Sequence, residues 1–178
     1  MRIAKMRRVM DTNTAIRTLL AVRRYQNKTI PEDIVRRIVD AARLSASAGN
    51  QQLWHFIVVT DPEMLRKLGA AMRTGPYVAG APLAIAVAIP KGNEYAVSDA
   101  SRAIQSMMLT AWSDGVGSNW VGFRPMPSVS ALLGVPDDLE VLAVVPFGYP
   151  ETTIGRGKKK RKPLGEVAHR ERFGQPYK

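Results

Sequence analysis

Apolar positions along this chain fall into two kinds of run. Ile34, Val35, Ile38, Val39 and Ala42 recur at spacings of three and four, the stripe of an amphipathic helix reaching to about Leu44. Other runs are unbroken and rich in β-branched residues. WHFIVVT from Trp54, LAIAVAIP from Leu83, GSNWVGF from Gly117 and VLAVVPFG from Val141 predict four strands, the first two buried. Further helices are predicted over Asn13–Val22, capped by Thr12 or Asn13, and from Asp61-Pro62 to Met72. Two more are predicted over Ser98–Asp114, ended by Gly115, and over Ser128–Leu133, stopped by Gly134. Thr29-Ile-Pro-Glu32 has the form of a capping box, with Pro31 tolerated in the first turn. Unbroken apolar strands need cover on both faces, so helices alternating with them predict a layered α/β or α+β domain.

Composition narrows the chemistry. The 178 residues suffice for one domain with a core, and 46% apolar with 23% charged is ordinary for a globular chain. There is no cysteine, which excludes disulfides, thiolate metal sites and thiol catalysis. The two histidines, His55 and His169, are not at metal-ligand spacing, and no metal site is expected. The basic N-terminus lacks an apolar h-region, and the run Ala79–Pro90 is too short to span a bilayer. A cytoplasmic protein without membrane attachment is therefore expected.

The net charge of +11 is unevenly placed. Residues 155–172 hold eight Lys/Arg against two Glu, and residues 1–8 hold four more cations, so the body of the chain is close to neutral. Charge at the ends suggests local anion contacts or solvated tails instead of a basic binding face. A nucleic-acid-binding tail is the competing reading. Its affinity would fall steeply with salt, and no aromatic-rich basic strand accompanies it.

The common catalytic motifs fail. GVGSNW, from Gly115, lacks the third glycine of a dinucleotide fingerprint and follows a helix. IGRGKKK has Thr152 where a phosphate loop needs glycine, five positions before Gly157. No G-x-S-x-G elbow is present. A chain without an evident acid, base or nucleophile is a candidate for borrowing its chemistry from a cofactor.

Three stretches then stand out: Arg23-Arg24-Tyr25; Ser47-Ala-Gly-Asn50-Gln-Gln52-Leu-Trp54-His-Phe; and Pro146-Phe-Gly-Tyr-Pro150 with the following Lys159-Lys-Arg161-Lys-Pro163-Leu. Taken alone, the first is equally a solvated helix end, the second a turn, and the basic run a solvated tail. Together, with their order and spacing over about residues 13–170, they resemble the nitroreductase family of FMN enzymes.

The resemblance implies a three-layer α-β-α fold of the α+β class, with a mixed, mostly antiparallel sheet. It also implies a homodimer with an exchanged C-terminal tail and FMN at the interface, the whole chain forming one such domain. Arg23, Tyr25, Lys159 and Arg161 would hold the FMN phosphate, and Arg24 the ribityl chain or the N1/O2 edge. Guanidinium groups suit phosphate by their planar, bidentate donors. Ser47 and Asn50 would complete the site from the partner subunit; Gln52, in the same segment, fits either a cofactor contact or a purely structural role. Val121 and Gly122 would bring backbone to flavin N5, although a bulge glycine at a strand end reads almost as well. Asp99 and Gln105 would hold the long helix in the dimer core.

No catalytic side chain is required, because the flavin carries the chemistry. The implied reaction is a ping-pong transfer from NADH or NADPH to a small acceptor such as a nitroaromatic or quinone. The family also includes peptide and cyclic-dipeptide dehydrogenases or oxidases, reductive dehalogenases and enzymes that fragment flavin to dimethylbenzimidazole.

Three departures from the family pattern are visible. Tyr25 stands where many members have serine. Leu53 replaces the proline before Trp54. The stretch KGNEYAV is a short cover between the second strand and the long helix.

Overall fold

The computed structural model describes residues 10–122, 125–152 and 159–177, so the N-terminal basic segment, Phe123 and part of the basic run lie outside the described residues. Four antiparallel strands form the sheet in the order β1-β2-β4-β3: β1 His55–Val59, β2 Leu83–Pro90, β3 Gly117–Ser118 and β4 Leu139–Gly148. A parallel bridge from Ala21 to Ser118 adds the mixed character. The helices are α1 Thr12–Thr18, α2 Glu32–Arg43, α3 Pro62–Ala71, α4 Glu94–Ser113, α5 Pro127–Leu132 and α6 Leu164–Val167.

Alternation along the two central strands builds two cores. Leu83, Ile85, Val87 and Ile89 of β2 join Ala143, Val145 and Phe147 of β4 against α2 and α4. Ala84 and Ala86, with Val141 and Val144, face the other way against Leu65 and Leu68 of α3 and Val129 of α5. A bulge between Val87 and Ala88 shifts the register, so that Val87 pairs with Ala143 and Ala88 with Val141. The result is the expected α-β-α layering in an α+β fold. Among the described residues, no helix is long and apolar enough to cross a membrane.

Several elements differ from expectation, each for a local reason. The first helix stops at Thr18, because the chain leaves it extended to pair with β3. Its cap is Asp11, whose carboxylate accepts from the Thr14 amide at 3.0 Å and from the Thr14 hydroxyl at 2.6 Å. The Thr14 hydroxyl, more than the amide, also keeps the Asp11 carboxyl below the usual carboxylate range. The capping box at Thr29–Glu32 does not form. Pro31 is the N-cap and makes no side-chain cap bond.

Strand β1 is an edge strand, so it is only partly buried and Val58 is exposed. The third strand shrinks to Gly117–Ser118 plus an isolated Val121–Val144 bridge. Helix α4 begins at Glu94, since the Asn93 side chain caps it by accepting from the Ala96 amide at 3.0 Å. KGNEYAV is therefore not a cover: all but its first three residues belong to the helix.

Candidate functional site

The Arg23–Tyr25 segment is shaped by two glycines that let it lie close to the sheet. The Val22 amide donates to the Ser118 carbonyl at 2.9 Å. A Cβ on Gly117 would fall 2.3 Å from Val22 Cγ2, and one on Gly148 would fall 2.7 Å from Tyr25 Cδ1. Tyr25 bridges to Pro150, and its hydroxyl donates to the Val22 carbonyl at 2.6 Å. Burial pushes the Tyr25 phenol well above its usual range, with Tyr77 adding to the rise and Arg23 opposing it. The phenol thus serves as a bolt holding the segment's turn.

Arg23 and Arg24 are left exposed on either side of this anchor. The Arg23 guanidinium stands 5.9 Å from the Tyr77 ring centroid and has no carboxylate partner among the described residues. The Tyr77 hydroxyl in turn accepts from the Asn119 side-chain amide. Arg24 lies 3.7 Å from Glu151, an exposed pair that contributes about 0.5 kcal/mol at most.

The tail returns toward the same side. Lys159 Nζ donates to the Ile16 carbonyl of α1 at 2.5 Å. Burial, and secondarily the nearby Arg161, lower the Lys159 pKa below the ordinary lysine value. Arg161 donates to the Lys160 carbonyl at 3.0 Å and is otherwise exposed. Both cations therefore lie in the part of the tail that reaches α1, the helix that leads to Arg23.

Val121 and Gly122 border a cleft of about 550 Å³, with Arg73, Thr74, Met126 and Ser128 also on its wall. The Val121 amide and carbonyl are both spent on Val144, at 3.0 and 2.9 Å. Gly122 differs: its carbonyl accepts from Trp120 Nε1 at 3.2 Å, but its amide has no acceptor among the described residues. Gly122 has φ 101°, a conformation that favours glycine, and a Cβ there would come 2.7 Å from Met126 Cε. Of the two expected backbone contacts, the structure leaves the Gly122 amide as the available donor.

Ser47, Asn50 and Gln52 form a separate group. They lie on a loop around a 3₁₀ turn, Ala48–Asn50, where Gly49, Asn50 and Gln52 have φ of 56°, 55° and 53°. Two non-glycine residues in this region store strain, which surrounding contacts must overcome. Ser47 Oγ accepts from the Gln52 amide at 3.1 Å, and Gln52 Nε2 donates to the Asn50 carbonyl and Oδ1 at 3.2 and 3.3 Å. The Gln52 side chain thus serves the loop itself.

Asp99 of α4, only 1% exposed, accepts from the Ala48 amide at 2.9 Å and pairs with Arg102. Gln105, expected in the dimer core, is exposed in the single chain. Among the described residues, no hydrogen bond or ion pair joins this loop to the Arg23 segment.

Sequence reasoning missed Arg73, Tyr77 and Asn119, and underrated Asp99. The first two flank Gly75-Pro76, a turn signal that went unused. Gly75 packs so closely that a Cβ would lie 2.3 Å from Val121 Cγ1, which brings this turn to the cleft.

Known proteins match this arrangement. The model of the nitroreductase family matches residues 17–84 and 70–149. An Archaeoglobus fulgidus protein provisionally named NADH dehydrogenase/NAD(P)H nitroreductase is 40% identical over 145 residues, covering 76% of this chain and 83% of its own. A crystal structure from Bacteroides thetaiotaomicron under the same provisional name superposes with a TM-score of 0.83 at 28% identity. It covers 91% of this chain and 98% of that one. An FMN-dependent nitroreductase from Clostridium difficile gives 0.81 at 25% identity, over 89% and 98% of the two chains. With the layered fold, these matches establish that the chain belongs to the nitroreductase family of oxidoreductases.

Proposed function

We propose that the protein binds FMN and uses it, as a cytoplasmic homodimer, to pass reducing equivalents from NADH or NADPH to a small acceptor such as a nitroaromatic or quinone. The observation that carries this reading is the uncommitted Gly122 amide. It sits beside a cleft of about 550 Å³, on a glycine at positive φ that brings backbone to the cleft border. The donor set fits the cofactor as well. Arg23 and Arg24 are exposed guanidinium groups on a fixed backbone, and Lys159 and Arg161 lie in the tail that reaches α1. Such groups suit a phosphate dianion.

When bound, FMN would supply two-electron redox chemistry between the nicotinamide and the acceptor. The chain's own part is positioning. Arg23, Lys159 and Arg161 hold the phosphate, with Tyr25 fixing the direction of Arg23. Arg24 places positive charge near the ribityl chain or the N1/O2 edge, where it favours the electron-rich ring. The Gly122 amide donates toward N5, and Val121 lines the floor. Ser47 and Asn50 reach the site of the partner subunit, which accounts for their separation from Arg23 within one chain. Gln52 supports them by holding their loop.

The test is reductant oxidation by FMN-loaded protein, followed at the nicotinamide absorbance with a quinone or nitroaromatic present. The proposal expects turnover with NADH or NADPH that requires the acceptor. Failure to oxidise either cofactor while flavin stays bound would remove the reductase reading and leave an oxidase or dehydrogenase.

A further inference from the structure

The cleft beside Gly122 has an asymmetric lining. Among the described residues, Arg73 is the one charged residue on its wall. Around it are Met72, Val121, Met126 and Val129, an apolar and partly polarisable surface suited to a flat aromatic body. Arg73 has no carboxylate partner among the described residues, whereas Arg36, Arg37, Arg43 and Arg102 are each paired with one.

Its backbone position is also fixed. Met72, at 5% exposure, anchors one side of it. On the other side Gly75 is pressed against Val121, the neighbour of Gly122. An exposed guanidinium is thus held on the wall of the cleft that receives the ring.

We infer that Arg73 selects the acceptor: the cleft takes planar aromatic acceptors that carry a carboxylate on the ring, in preference to their neutral isosteres. This rests on the flavin reading above and adds a substrate class to it. Arg73 and Gly122 line the same cleft, which puts an anion paired with Arg73 on or next to a ring stacked there. A ring carboxylate meets that condition, whereas the 2′-phosphate of NADPH lies far from its nicotinamide along an extended dinucleotide. Arg73 touches the acceptor and not the bonds that react, so its effect belongs in binding and KM.

The experiment compares 4-nitrobenzoate with 4-nitrobenzamide as acceptors at fixed NADPH. It uses the FMN-loaded wild type and the Arg73→Gln and Arg66→Gln variants. Arg66 is an exposed cation of α3 outside the cleft lining and controls for the general positive field. Calorimetry with 4-aminobenzoate and 4-aminobenzamide, which accept no electrons, reads the cleft separately on protein as purified.

The expected result is a roughly ten-fold preference for the carboxylate in kcat/KM and in Kd, the scale of one charge-assisted hydrogen bond in a partly exposed site. It should be lost in Arg73→Gln, through KM, and kept in Arg66→Gln. Neutral acceptors should be unaffected by either change. No preference in the wild type, a preference surviving Arg73→Gln, or equal loss in both variants would overturn the inference. So would a rise in KM for NADPH alone. Colourless protein that takes up no FMN but still prefers 4-aminobenzoate would overturn the flavin reading while leaving Arg73 as the anion contact.

Discussion

Two regions carry the motif residues, and they are built in opposite ways. The Arg23–Tyr25 segment lies against the sheet, where Gly117 and Gly148 let backbone and side chains meet without Cβ atoms between them. The Ser47–Gln52 loop lies away from the sheet, exposed, with two non-glycine residues at positive φ, and is tied down largely by Asp99. The first region is close-packed and has cations exposed at its surface. The second is strained, held by polar contacts, and among the described residues supplies no group to the first within one chain. Such a difference suits a site completed by a second subunit. On the proposed dimer reading, one half would be rigid before assembly, and the other held in a shape that contacts with a partner could use.

The largest expected effect breaks the packed half. Gly117→Ala puts a methyl where Val22 already is, and overpacking of this kind costs about 3 kcal/mol. Urea denaturation should show that loss, and FMN binding should weaken with it because Arg23 moves. Asp99→Ala tests the strained half. It orphans the Ala48 amide and costs about 2 kcal/mol. Asp99→Asn keeps an acceptor and should recover part of the loss. The loop reading predicts that Asp99→Ala also weakens FMN binding by the dimer, while Arg23 stays in place.

Arg23→Ala should leave the fold stable, since the side chain is exposed, and weaken FMN binding roughly ten-fold. A flavin fluorescence titration would read it. The smallest effect sharpens the role of the tail. Lys159 has a depressed pKa through burial, and a phosphate dianion binds its protonated form. FMN affinity should therefore hold at neutral pH and fall by a few-fold as pH rises through that depressed value, before ordinary lysines titrate. Lys159→Arg should abolish the alkaline loss.

Much of this comparison was legible in the residues. The unbroken runs at Leu83 and Val141 became the two central strands, because strands covered on both faces leave no polar alternation to confuse the reading. Asp61-Pro62 capped α3 as its side chain predicts. Edges were harder. WHFIVVT reads as buried, yet its strand is an outer one, a matter of sheet order that local pattern does not carry.

Within the proposed site, the family resemblance pointed to Arg23, Arg24, Asn50 and Gly122, and their donor chemistry and conformational freedom agreed with it. It could not show that the Tyr25 hydroxyl turns back onto Val22, or that Val121 gives both backbone groups to Val144. The first is a local turn whose side-chain direction residue type does not carry, and the second depends on Val144, 23 positions away. Asp99 was underrated for the same reason. Its partner, the Ala48 amide, is 51 positions away.

Under the proposed function, exposed cations on a packed frame hold the FMN phosphate. Titration of flavin-free protein with FMN, comparing the wild type with Arg23→Ala and Arg161→Ala, tests it most directly. The account predicts saturable binding of one FMN per chain, with yellow protein after desalting, weakened in both variants. Wild-type protein that takes up no FMN, or undiminished affinity in both variants, would contradict it.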